Sequence, residues 1–436
     1  MKFGRVLAFC RTHRLLVLFV VAFAVRVAFI LAFGPTTTPL HLGDDEAYDQ
    51  IAWRLVARHE YTNTLYTPGY PLFLALNYAV FGRSWFLARL VQAAIGAGTC
   101  LLICQLGAKV FSERVGLIAG WLLAVYPGHV YFCWRLMAEP LYILLLTWCL
   151  LLALALAQNP RPLPAFGLGA LICVNQLIKG NLFLIPAALI AWFAFSARAG
   201  ARQRVLCVAA WIAGSALAAV IQPVASLMSP RGHAYLMPVN GRFTLWVGNN
   251  PLSVGYHDDQ INDPVVHAFI ESHGFAERLK NADVVESQQI LGTLAVIWIR
   301  ENPGKFLALM PRKLNNAFGL YPRALVFEES SRARRAVHVL TYGPVALFAL
   351  GGMISGLRRW RAASLLYVVV ASYVPTVLLF YGTPRWTLMI IPELLIFASF
   401  ALVALYTRIA ASGSASSVGT SLPRLLHRGR RLVRDA

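Results

Sequence analysis

Four carboxylates, Asp44, Asp45, Glu46 and Asp49, stand together in the stretch HLGDDEAYDQIAWRLVARHEY, just beyond a long apolar run. Acids grouped at a membrane edge either carry chemistry or cap a helix. Behind them Ile51, Ala52, Leu55 and Val56 recur at helical spacing, which predicts a short amphipathic helix lying on the bilayer surface. If that helix starts early, Asp44 and Tyr48 share one of its faces. The competing reading makes Asp44 or Asp45 an N-cap and leaves the other acids to favour the helix dipole. A further carboxylate, Glu139, opens a later apolar run, and a carboxylate in or near a bilayer is costly and functional by default. Between these, Tyr66-Thr-Pro-Gly-Tyr-Pro-Leu-Phe-Leu brackets Gly69 and Tyr70 with prolines, the pattern of a turn followed by a proline-started helix.

The elements that position these residues follow from composition. The 436 residues are 58% hydrophobic and only 13% charged, against about 25% charged in soluble domains, so the outer surface faces lipid. The net charge of +20 is not gathered on one polar domain. Its basic residues sit in short clusters between apolar runs, where the positive-inside rule puts them, and nucleic-acid binding is rejected. Apolar runs predict an all-α polytopic bundle of about ten spans, near 14–34, 84–107, 114–132, 135–157, 163–179, 181–197, 205–228, 336–356, 362–381 and 386–408. The first is read as a retained helix, not a cleaved signal. The short pair 163–179 and 181–197, with Lys179 and Asn181 at its junction, reads as a tight hairpin or a partly re-entrant segment. Threading the basic clusters puts both termini in the cytoplasm. The domain reading is a membrane module, 1–408, with outward loops 35–83 and 229–335 and a basic cytoplasmic tail, 409–436. The seven cysteines fall mostly in apolar runs without a CxxC pair, so neither a structural disulfide nor a thiolate metal site is expected.

In order along the chain, a G-D-x-x-x-Y-x-x-x-A loop (Gly43, Asp44, Tyr48, Ala52) precedes Pro68-Gly69-Tyr70-Pro71 and Phe81-Gly82. Tyr126-Pro127, Met137-Ala138-Glu139-Pro140-Leu141, Trp246-Val247-Gly248-Asn249-Asn250-Pro251, Ile299-Arg300-Glu301-Asn302-Pro303 with Lys313, and Pro384-Arg385-Trp386 before Ile391-Pro392 follow. This series resembles the GT-C membrane glycosyltransferases, in particular bacterial proteins of the protein O-mannosyltransferase and aminoarabinose transferase type.

The resemblance implies a reaction, transfer of a sugar from a polyprenyl-phosphate carrier to an acceptor hydroxyl with inversion. The hydroxyl must lose a proton, so a carboxylate base is wanted. The departing lipid phosphate gains charge, so a metal ion or Lys and Arg must stabilise it. By the resemblance Asp44 is the base, with Asp45 and Glu46 as alternatives in register, and Glu139 supports it or holds a metal. Tyr48, Tyr70, Asn249 and Asn250 fall to substrate binding. Arg135, Lys179 and Arg385, at outward helix ends, fall to the phosphate, against a competing reading as chains snorkelling to headgroups. Arg231 and Arg242 are weaker choices, and Asp258 and Asp259 read as a solvated loop. A divalent metal ion stays open as cofactor: His41, His129 and His257 lie in outward loops, but they read better as solvated, and no H-x-x-H spacing appears. The implied partners are the lipid-linked donor, membrane lipid, and a glycolipid, polysaccharide or protein acceptor, with the site on the periplasmic face of a bacterial inner membrane. The alternative is a lipid-linked sugar flippase or another transporter, which would place charges at mid-membrane and often show inverted repeats. A polymerase or ligase using diphosphate-linked donors is disfavoured by the acidic first loop.

Overall fold

The computed structural model describes residues 13–34, 43–61, 65–227, 240–256, 260–321 and 332–417. His41, Arg231, His257, Asp258, Asp259 and the tail beyond residue 417 lie outside the described residues. Within them the chain is helical, with no strand.

The elements are α1 (Arg14–Phe33), α2 (Asp44–Arg58), α3 (Gly69–Phe81), α4 (Trp85–Val110), α5 (Glu113–Val125), α6 (Pro127–Trp134), α7 (Glu139–Gln158), α8 (Pro162–Ile178), α9 (Ile185–Ser196), α10 (Ala201–Ala219) and α11 (Ile221–Leu227). An outer layer follows: α12 (Asn240–Gly248), α13 (Pro264–Ser272), α14 (Ala276–Asn281), α15 (Val284–Glu301) and α16 (Pro303–Phe318). The chain returns through α17 (Arg332–Gly356), α18 (Trp360–Leu379), the single turn α19 (Pro384–Thr387) and α20 (Ile391–Ser417).

A helix or a bent pair stands at each segment expected to span. Six stretches of the described residues are long and apolar enough to cross a membrane, Arg332–Leu379 counted as one, and seven if the pair α5–α6 is one bent span. The shorter α3, α8 and α9 are apolar too. Where lipid is the solvent, helices associate through close packing of small residues. Thus Gly169 of α8 lies against the Trp211 carbonyl of α10, and Gly214 of α10 against the Phe166 carbonyl of α8. Gly107 and Gly116 bring α4 onto α5 in the same way. This packing departs from the hairpin alternative for 163–179 and 181–197: α8 runs along α10, and α9 leans on α18.

The amphipathic helix expected in the first loop is α2, whose buried edge carries Asp45, Tyr48, Asp49, Ile51 and Ala52. The second loop is a helical layer with its own small core of Trp246, Val266, Ile270, Ile290, Leu291, Leu294 and Ala295. Asp263 and Asp283 cap α13 and α15, accepting from the Val265 and Val285 amides at 2.9 Å each.

Candidate functional site

The position of Gly43 sets the site. Gly43 is extended and caps α2 without a side-chain bond, so the helix begins at Asp44 and all three acids, Asp44, Asp45 and Glu46, lie in its first turn. Neither Asp44 nor Asp45 is the N-cap. Residues two apart on a helix point about 200° apart, so Asp44 and Glu46 diverge. Glu46 turns away and accepts from Gln50 of its own helix at 3.0 Å. Asp44 turns into the bundle.

There Asp44 Oδ2 accepts from the Arg385 guanidinium at 2.6 Å, and Oδ1 accepts from the Tyr66 hydroxyl at 3.1 Å. Arg385 belongs to α19, a turn opened by Pro384, and its Nε donates to Glu139 Oε1 at 2.5 Å. Lys179, at the C-terminus of α8, donates to the same oxygen at 2.8 Å. Glu139 is wholly buried at the start of α7, and its Oε2 has no hydrogen-bond partner among the described residues. Two carboxylates and two cations from four separate elements thus close one network. Arg385 and Lys179 are only 5% and 7% exposed, so they face these acids and not lipid headgroups.

Beside it lies a second polar layer. Asp45 accepts from Arg135 Nε at 2.5 Å, and Arg135 also donates to the Tyr131 hydroxyl at 3.1 Å. The Gln92 side-chain amide donates to the Arg135 carbonyl at 2.6 Å and accepts from the Tyr70 hydroxyl at 2.5 Å. The ring of Tyr48 sits 5.1 Å from that of Tyr66 and 4.9 Å from that of Tyr70. Asp49 accepts from Tyr78 at 2.5 Å, Trp85 at 2.9 Å and Arg83 at 2.5 Å, which ties α2 to α3 and the start of α4.

Burial alone would raise the Asp44 pKa, but the charges of Arg385 and then Lys179 outweigh it and hold the carboxyl below its ordinary value. The phenols respond oppositely. Burial, with the Asp44 charge behind it, pushes both Tyr48 and Tyr66 upward, so both keep their protons at neutral pH, and Tyr66 donates its own to Asp44.

Asn249 and Asn250 stand apart from this network. Both are fully buried past the end of α12. Asn249 donates to the Leu245 and Leu379 carbonyls at 2.8 Å each and accepts from Lys313 at 2.7 Å. Asn250 donates to the Trp246 carbonyl at 3.2 Å and accepts from the Leu252 amide at 3.0 Å. Arg242 packs its stem on Gly292 in the outer layer.

His129 is not a solvated loop residue. It is fully buried, and its Nδ1 lies 2.8 Å from Arg26 of α1. The span bends by 51° between α5 and α6. Arg26 donates to two carbonyls at that break, Ala124 at 3.1 Å and Leu123 at 3.3 Å. With Glu393 also buried in α20, the bundle holds ionisable side chains at depth. Sequence reasoning passed over Arg26 and Gln92, although a single arginine deep inside an apolar run is a readable signal. Among the described residues no group of three or more His, Cys, Asp and Glu side chains is arranged to hold a metal ion.

Residues 66–226 match the family model of dolichyl-phosphate-mannose-protein mannosyltransferases. No curated protein matches the chain. Among solved structures, the fold is similar to the archaeal oligosaccharyltransferase AglB from Archaeoglobus fulgidus in complex with an inhibitory peptide and a dolichol-phosphate. The TM-score is 0.57 at 15% identity, over 96% of this chain and 53% of that one. The same enzyme with Zn and sulfate gives 0.54 at 16%, over 92% and 50%. ArnT from Cupriavidus metallidurans bound to undecaprenyl phosphate gives 0.35 at 14%, over 99% and 84%. The chain thus spans about half the length of the archaeal structures it resembles. This chain is a membrane protein of the GT-C fold, and its residues 66–226 carry the sequence match to the dolichyl-phosphate-mannose-protein mannosyltransferase family.

Proposed function

We propose that the protein is a polyprenyl-phosphate-dependent glycosyltransferase acting at the outer face of a bacterial inner membrane. The observation that carries this reading is the arginine shared by two acids, Arg385 bridging Asp44 and Glu139 with Lys179 alongside. Transfer needs a proton acceptor and a cationic seat for the departing phosphate within one small space, and this network supplies both. Asp44 accepts the proton of the acceptor hydroxyl as its oxygen attacks the anomeric carbon. The bond from that carbon to the phosphate oxygen breaks, and Arg385 and Lys179 take up the charge left on the lipid phosphate. Glu139 holds both cations in place, and Arg135 with Asp45 borders the site. Tyr48 and Tyr70 form its aromatic wall, and Tyr66 steadies Asp44. The acceptor is a glycolipid, polysaccharide or protein carrying a free hydroxyl.

The donor set does not call for a resident divalent ion. Asp44 and Glu139 are already countered by Arg385 and Lys179, and a single orphaned oxygen, Glu139 Oε2, is too little to hold a metal. No step is routed through one.

In this reading about ten crossings place both termini in the cytoplasm and the loops 35–83 and 229–335 outside. The module runs over 1–408 and the basic tail over 409–436. A decisive test is the full chain in liposomes with a radiolabelled polyprenyl-phosphate sugar and an envelope extract as acceptor. Label should appear on the acceptor with wild type and not with Asp44→Asn. Label that only crosses the bilayer would make the protein a flippase instead.

A further inference from the structure

Lys313 is fully buried in the outer layer, and every polar contact it makes is to an uncharged group. Its Nζ donates to Asn249 Oδ1 at 2.7 Å and to the Leu378 carbonyl at 3.0 Å, with the Leu379 carbonyl at 3.5 Å. It also sits 5.1 Å from the centre of the Phe306 ring. Leu378 and Leu379 are the last residues of α18, where a positive charge complements the helix dipole and the open carbonyls. The three donors of an ammonium match those three acceptors.

The same short segment is gripped elsewhere by backbone. Gly248 lies against the Phe380 carbonyl, and Gly382 against the Lys313 carbonyl. The Gly382 amide donates to the Gly255 carbonyl at 3.1 Å. Two residues after Arg385, Thr387 donates to the Ala317 carbonyl of α16 at 2.7 Å. Residues 378–387 therefore hang from the outer layer on both sides of Arg385, and the sequence WVGNNP supplies the near end of that grip.

We propose that Lys313 and Asn249 form a clamp that positions Arg385, and that the clamp is complete only while Lys313 carries its proton. This rests on the reading in which Arg385 seats the donor phosphate. Lys313 is a positioning residue, since it acts through the 378–382 segment and not on substrate. Deprotonation would turn a lone pair toward a carbonyl and remove the charge at the end of α18. The titratable groups on the elements packed around Lys313 are Lys305 and Arg312 of its own helix, Arg300 and Glu301 of α15, Arg361, Tyr367 and Tyr373 of α18, and Tyr256, Tyr381 and Arg385. None of them bonds to its ammonium. Burial alone pulls the Lys313 pKa down to about 7, which brings its titration into the working range of an envelope protein.

The test uses the full chain in nanodiscs and measures binding of a long-chain polyprenyl phosphate across pH 5.5–9. The phosphate group itself titrates near pH 6, so each variant is compared with wild type at every pH. Wild type should lose affinity as pH rises through about 7. In Asn249→Asp a carboxylate beside Lys313 raises its pKa, so that loss should move to higher pH. Lys313→Met should bind about tenfold more weakly below pH 7 and show no such loss above it. Near-UV circular dichroism separates these effects from an unfolded outer layer. The clamp is overturned if Lys313→Met matches wild type, or if Asn249→Asp leaves the pH dependence unmoved in a folded protein. Arg385→Ala is the control: if it too binds like wild type, the phosphate seat is wrong and the clamp has nothing to position.

Discussion

Arg385 reaches two acids at once, Asp44 from its terminal nitrogen at 2.6 Å and Glu139 from Nε at 2.5 Å. One planar fork spans them. The arrangement orients Asp44, keeps it ionised, and fixes a cation beside it.

Asp44→Asn keeps shape and can still accept from Tyr66, but it cannot take a proton. Turnover should fall by ~10²–10⁴, with insertion retained and the Tm lowered, because buried Arg385 loses one of its two counter-ions. Because α2 is capped by Gly43 and not by Asp44, no helix-capping loss complicates the result. Glu46→Gln, on the opposite face, should leave turnover unchanged. Equal rates for wild type and Asp44→Asn in a transfer assay would remove Asp44 as the base.

The pH dependence has a definite sign. Burial raises the Asp44 pKa, and Arg385 then Lys179 bring it below the ordinary 3.8. Its ionised form contributes stability above that value, lost as pH falls through the lower folded pKa. Arg385→Met removes the largest lowering influence and leaves burial. The acid limb of the residual activity should therefore move to higher pH, as read from a pH–rate profile at saturating donor.

Glu139 balances two buried cations. Glu139→Gln leaves Lys179 and Arg385 with less compensation, and breaking such a pair costs about 3–5 kcal/mol. Thermal unfolding in detergent should show a lowered Tm for Glu139→Gln. Adding Lys179→Met should restore part of it, since one uncompensated charge is then gone. A double variant whose loss equals the sum of the single losses would mean the two groups are not coupled.

Arg26 serves the broken span. Arg26→Met removes the side-chain donor to the Ala124 and Leu123 carbonyls at the bend, leaving Leu123 only the Tyr126 amide, and should cost about 1–3 kcal/mol. Donor binding should weaken too, because α6 carries the chain into Arg135. A melting curve that matches wild type would show that the bend holds without it.

Topology is testable at Lys305, which is exposed on α16. In a background without native cysteines, Lys305→Cys should react with an impermeant maleimide once the outer membrane is opened. Reaction only after the inner membrane is breached would invert the arrangement.

Much of α2 was legible because Ile51, Ala52, Leu55 and Val56 mark its buried edge locally. Periodicity reports which face a residue occupies, and not which distant charge it meets. Asp44, Glu139, Lys179 and Arg385 could each be singled out by type and by position at a helix end, but their closure into one network depends on how the helices pack. Asp44 and Glu46 are equivalent as residue types, and only the start of the helix at Gly43 separates them. The hairpin alternative for α8 and α9 departs from the structure for a related reason. Gly169 and Gly214 admit close backbone contact between α8 and α10, and connection length is a poor guide where small residues set the approach. Asn249 and Asn250 stand out as a motif, yet the bond from Asn249 to the end of α18 has no signature in the motif itself.

The bond between Asp44 and Arg385 joins residues 341 positions apart. During synthesis Asp44, Glu139 and Lys179 enter the membrane long before their common partner exists. Until α19 emerges they form an unbalanced set of two acids and one base, with Glu139 lacking one of its two counter-ions. Chain order therefore makes closure of this network one of the last events of biogenesis, since a nascent protein stalled before residue 384 lacks the one side chain that joins Asp44 to Glu139.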